Sequence, residues 1–141
     1  MKHVFETVDE AYARREPWGE PLVDEVIDAL RKTRIITVQD IALLLGYEKR
    51  DLIGAMRIMT GVTLQQLVTG WRVRQARDLL RAEGIEIGSG SDATGKEGAM
   101  EALGLAEVPQ EVLQRVAQRC GWRSYRVMKG ILAREVSEGR L

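Results

Sequence analysis

The 141 residues hold one cysteine, one histidine and few aromatics (5%), and each scarcity removes a class of function. A single thiol, Cys120, cannot close an internal disulfide and fits a reducing cytoplasm. With His3 as the only histidine, a Ser-His-Asp or Cys-His arrangement has no base, so no enzyme is expected. Metal sites need clustered His and Cys ligands, which the sequence does not supply. Runs rich in Val, Ile and Thr are hard to find, and with the shortage of aromatics this predicts an all-α fold. No apolar run approaches the ~20 residues that cross a bilayer. Lys2 and His3 are followed quickly by Glu6, Asp9 and Glu10, unlike a signal peptide. The expectation is a cytoplasmic protein with no membrane partner. Gly88-Ser-Gly-Ser and Gly95-Lys96 have the wrong spacing for a phosphate loop and no strand before them, so no cofactor is expected.

What is present is ordinary globular composition, 45% apolar and 30% charged, with a net charge of zero. The zero conceals segregation. Residues 1–34 carry 6 basic and 8 acidic side chains, residues 35–81 carry 7 and 4, residues 82–108 carry 1 and 6, and residues 109–141 carry 7 and 3. Two basic blocks are thus divided by an acidic one, and local charge rather than the total sets attraction to a phosphate backbone.

Along the chain, the first 15 residues read as an amphipathic helix with Val4, Phe5, Val8, Ala11 and Tyr12 on one stripe. Pro17, Gly19 and Pro21 interrupt it. Pro21 suits the first turn of a second helix to about Thr33, burying Leu22, Val23, Val26, Ile27 and Leu30. Thr37 is a good N-cap for a helix through Leu45 that Gly46 stops. A further helix covers Lys49 to Met59, ending at Gly61. Thr63-Leu-Gln-Gln66 is a capping box opening a long helix to Ala82. Gly88 to Gly98 has no apolar periodicity and reads as a mobile loop, with a short helical turn at Ala99 to Leu103. Pro109 opens a helix to Cys120, stopped by Gly121, and a last helix runs from Ser124 into the Val136 region.

One pattern occurs twice. Ile41-Ala42-Leu43-Leu44-Leu45-Gly46-Tyr47 and Val116-Ala117-Gln118-Arg119-Cys120-Gly121-Trp122 both read β-branched, Ala, three residues, Gly, aromatic. Two helices crossing steeply through a short turn need a small residue where they touch, hence Ala42 and Ala117. The turn residue sits in the left-handed region, hence Gly46 and Gly121. Tyr47 and Trp122 are expected to plug the angle between the helices. Leu52 and Met56, and Val127, Met128, Ile131 and Leu132 in the second copy, are expected to face inward.

On these residues the chain resembles the AraC/XylS-type DNA-binding domain. That family reads Ile-Ala, three residues, Gly, a recognition helix, Thr-Gly, then a capped linker helix bearing Arg-x-x-x-Ala-x-x-Leu-Leu. Here Ile41-Ala42, Gly46, Leu52, Met56, Thr60-Gly61, Thr63, Arg72, Ala76 and Leu79-Leu80 stand in that register without a gap, and Val116-Ala117 to Gly121-Trp122 is similar to the second unit. The match covers about 36–80 and 110–135. It departs in the acidic, Gly-rich segment between the units and in Met56, Met128 and Leu132 where Phe is usual. The family's closing Gly-x-x-Pro-x-x-Tyr-Arg segment is not found. The implied arrangement is homeodomain-like: residues 1–35 as N-terminal helices with no ligand-sensing domain, 36–62 the first helix-turn-helix, 63–82 the linker helix, 83–108 a flexible insert, and 109–141 the second helix-turn-helix.

The resemblance implies sequence-specific binding to double-stranded DNA by a transcriptional regulator, monomer or weak dimer, with two recognition helices in successive major grooves. RNA polymerase or another regulator is a further candidate partner. The face of the first helix offers Glu48, Lys49, Arg50, Ile53, Gly54 and Arg57; that of the second offers Arg123, Ser124, Tyr125, Arg126, Lys129 and Gly130. Lys49, Arg50, Arg57, Arg123, Ser124, Tyr125, Arg126 and Lys129 are the candidate DNA contacts. Arg72 reads as half of a structural ion pair rather than a base contact, Trp71 and Trp122 as core, Trp18 as either a packed lid or an exposed partner anchor with packing favoured, and Cys120 as a small hydrophobe. The alternative reading is a protein-interaction module on the same fold with weak or no DNA binding.

Overall fold

The computed structural model describes residues 3–85 and 108–139, and among these every regular element is a helix. They are α1 (Val8–Ala13), α2 (Pro21–Lys32), α3 (Val38–Leu45), α4 (Lys49–Met59), α5 (Leu64–Ala82), α6 (Gln110–Arg119) and α7 (Tyr125–Ser137). None of the described helices is long and apolar enough to cross a membrane. The Gly-rich stretch 88–98 and the short helix expected at Ala99 to Leu103 lie outside the described residues. The chain divides into two compact units, Met1–Trp71 and Arg72–Leu141, with the boundary inside α5.

Local chemistry sets the helix ends within a residue of where the sequence puts them, α1 excepted. Pro21 occupies the first turn of α2, where a missing N–H leaves no bond unmade. The Thr37 hydroxyl accepts from the Asp40 N–H at 3.1 Å to start α3. Ahead of α5 the capping box closes in both directions: the Gln66 N–H donates to Thr63 Oγ1 at 3.1 Å, and the Thr63 N–H donates to Gln66 Oε1 at 2.9 Å.

In the first unit α2, α3 and α4 pack against one another. Their apolar stripes meet in a core of Val23, Val26, Ile27, Leu30, Ile41, Ala42, Leu52 and Met56, joined by Leu64, Leu67, Val68 and Trp71 from α5. The N-terminal segment departs from expectation. Thr7 caps α1 by accepting from the Glu10 N–H, so the helix begins only at Val8 and runs for six residues. Val4 and Phe5 lie outside any helix instead, where the end of α4 offers them backbone partners. The Val4 N–H donates to the Met59 carbonyl and the Gly61 N–H to the Phe5 carbonyl, both at 2.9 Å. A Cβ at Gly61 would come within 3.0 Å of the Glu6 Cα, so this close pairing selects glycine there. Phe5 is still buried, its ring 5.2 Å from that of Trp18. Trp18 is the packed lid expected: Arg14 lies over its outer face, and the N–H groups of Trp18 and Gly19 donate to the Asp24 carboxylate at 2.7 and 3.2 Å.

In the second unit α6 packs on α7. Leu113, Val116, Ala117, Cys120, Trp122, Met128, Leu132 and Val136 are buried. Arg72 is also buried, its Nη1 donating to Gln75 Oε1 at 2.6 Å, and burial pulls its pKa down to about 10. Burial likewise pushes the Cys120 thiol up to about 11, only partly offset by Arg72 and Arg119. Cys120 is therefore a protonated small hydrophobe at neutral pH, without the thiolate that reacts.

Two outcomes follow. Phe5→Ala should lower unfolding free energy by about 3–5 kcal/mol in urea titration, the scale of emptying a buried aromatic site, although the residue lies outside any helix. Cys120 should resist an aromatic disulfide reagent at pH 7 in the folded protein and react fully in denaturant.

Candidate nucleic-acid interface

The repeated sequence pattern forms the same hydrogen-bonded turn twice. Gly46 and Gly121 have φ of 79° and 96°. In the first copy the Tyr47 N–H donates back to the Ala42 carbonyl at 3.0 Å and the Gly46 N–H to the Leu43 carbonyl at 3.3 Å. In the second, Trp122 donates to Ala117 at 2.9 Å and Gly121 to Gln118 at 3.1 Å. These are the paired bonds of the glycine-stopped helix end described by Schellman geometry, which satisfies carbonyls that the helix leaves open. The alanine therefore supplies an acceptor as well as a small side chain.

After the turn the copies differ by one residue. α4 begins three positions after Gly46, whereas α7 begins four after Gly121. Trp122 is turned inward, 4% exposed, while Tyr47 stays 41% exposed with its hydroxyl donating to Glu25 Oε2 at 3.0 Å. Tyr47 is thus not the plug that the repeat predicts. Val127 is a second correction: it is 50% exposed rather than inward, because the buried stripe of α7 runs through Met128, Leu132 and Val136 and leaves its neighbour one-quarter turn away. Ile131 is half-buried.

Aligned by their first helical residues, α4 and α7 bury Leu52 with Met128 and Met56 with Leu132 as equivalent positions. The outward faces then match as well. Arg50 and Arg126 each stand second in their helix, and both are exposed. Lys49 and Arg57 are exposed on α4, and Arg123 is exposed in the second turn. Among the described residues none of Lys49, Arg50, Arg57, Arg123 or Arg126 forms an ion pair. By contrast Arg115 binds Glu83 at 2.7 Å and Lys32 binds Asp28 at 3.0 Å. The candidate cations are left facing solvent, the state in which they meet phosphate without first breaking a partner.

Three candidates have local duties. Ser124 caps α7, its hydroxyl accepting from the Val127 N–H at 3.4 Å. The Lys129 ammonium lies 6.0 Å from the centre of the Tyr125 ring, and both residues are half-buried. Two residues escaped sequence reasoning. Arg134, exposed two turns beyond Arg126 on α7, extends the basic face. Gln114 of α6 spans the second turn: its Nε2 donates to the Arg123 carbonyl at 3.2 Å, and its Oε1 accepts from the Tyr125 N–H at 3.0 Å. An amide at this place is the only available signal, since it can bind a carbonyl and an N–H together. Gln39 holds the equivalent place in the first unit and makes no such bridge among the described residues.

Removing the bridge in Gln114→Ala should destabilise the second unit by about 1–2 kcal/mol and speed hydrogen exchange at the Tyr125 amide, whereas Gln39→Ala should be near neutral in the same measurements. No family model, no curated protein and no solved structure matches this chain.

Proposed function

We propose that this chain is a double-stranded-DNA-binding regulator of the AraC/XylS type, a two-fold helix-turn-helix protein with α4 and α7 as its recognition helices. The supporting observation is that two chemically matched turns each deliver a helix whose second residue is an exposed arginine without an ion-pair partner. A helix entering the major groove reads base edges from its N-terminal residues, and Arg50 and Arg126 stand where that reading occurs. Lys49, Arg57, Arg123 and Arg134 hold register on phosphates; they carry charge but no sequence information. As the family resemblance implies, the two helices occupy successive major grooves.

A second reading keeps the fold but gives its surface to another protein. One observation favours it: Leu43 and Leu44 on α3 are 68% and 54% exposed, where α6 carries Gln118 and Arg119 at the equivalent places. Apolar residues side by side in water are the usual mark of an interaction surface.

Titration of labelled duplex DNA separates the two. For a regulator neutralising about four phosphates, affinity should fall on the order of 10²-fold between about 50 and 200 mM salt. Arg50→Ala and Arg126→Ala should each weaken specific binding by about tenfold or more. A protein-docking module shows neither the salt response nor any effect of these substitutions.

A further inference from the structure

Over the eleven residues of α4 and the first eleven of α7, aligned from their first helical positions, only two identities occur: Arg50 with Arg126, and Gly54 with Gly130. The arginine and the glycine are four residues apart in each helix, and so lie one above the other on one face. That face is the outward one, since Leu52, Met56, Met128 and Leu132 occupy the core side.

A glycine in a helix interior calls for a reason, because no residue except proline forms helix less well. Backbone conformation does not supply one: neither Gly54 nor Gly130 has positive φ. Packing does not supply one either. Among the described residues, a Cβ built at either position meets no atom within 4 Å. By contrast Gly61, in the same chain, is hemmed in by Glu6. At Gly130 the bare backbone lies in an open groove of about 390 Å³ lined by Arg126, Val127, Gly130, Ile131, Arg134 and Ser137. Among the described residues nothing in either unit uses the missing side chain, although both helices give up stability to omit it.

We infer that Gly54 and Gly130 are the points of closest approach between each recognition helix and DNA, where the absent Cβ lets the helix backbone settle against the groove with the arginine one turn earlier reaching a base edge. The inference rests on the DNA-binding reading and adds to it a pose. Each helix lies in its groove centred on its sixth residue, and the two units use that pose alike despite unlike reading residues. Ile53 and Lys129, beside the glycines at equivalent places, then supply the difference in sequence preference between the two half-sites. An apolar side chain at one favours a thymine methyl, and an ammonium at the other favours guanine acceptors.

The test exploits opposite signs. Gly54→Ala and Gly130→Ala should each raise the melting temperature by a few degrees, as helix propensity dictates when the new methyl meets nothing. Each should nevertheless weaken binding to a selected duplex by about tenfold or more, the scale of losing one good base contact. Full wild-type affinity in both stabilised variants overturns the inference and leaves DNA binding intact. A lowered melting temperature also overturns it, because the methyl would then be meeting the protein itself. If the unsubstituted chain shows no salt-sensitive binding to duplex DNA, the underlying reading fails and the inference falls with it.

Discussion

The bond from the N–H after a left-handed glycine back to an alanine carbonyl governs this protein. It occurs at Ala42–Tyr47 and again at Ala117–Trp122. It terminates the first helix, satisfies a carbonyl that would otherwise stay open, and reverses the chain toward the second helix. A β-carbon at Gly46 or Gly121 would strain the left-handed backbone by about 1–2 kcal/mol. The direction of α4 and α7, and hence every exposed cation they carry, depends on that reversal.

The two units spend this common turn differently. In the first, Tyr47 reaches out to Glu25 and α3 shows Leu43 and Leu44 to solvent. In the second, the turn is one residue longer, Trp122 fills the interior, Gln114 ties Arg123 to Tyr125, and α6 shows Gln118 and Arg119. The second unit has the Gln114 bridge at the start of α7, which the first lacks among the described residues, and is polar where the first is apolar. Equal turns therefore carry unequal surfaces, apolar on α3 and polar on α6.

Much of the fold was legible because its signals are local. Thr37, Thr63 with Gln66, Pro21, Gly46 and Gly121 each act within four residues, so spacing alone places helix ends. What was not legible is set by partners distant in sequence. Val4 and Phe5 carry a helical apolar pattern, yet they stay outside the helix and form backbone bonds to Met59 and Gly61. Tyr47 carries the repeat's aromatic, yet Glu25 on α2 offers it a surface acceptor. Within the candidate interface the cations near the helix starts could be named from the sequence, but Arg134 and the one-residue difference after the turns could not. Counting from Gly46 and Gly121 sets Arg50 opposite Tyr125; counting from the helix starts sets it opposite Arg126 and brings Gly54 opposite Gly130.

On the function proposed above, α4 and α7 would each enter a major groove of one duplex. Selection of sites from random duplexes, followed by hydroxyl-radical footprinting on the winners, tests it most directly. The account predicts two protected patches on one face, centred about 10–10.5 base pairs apart, with a distinct consensus under each. Failure to enrich any site, or protection confined to one patch, would contradict it.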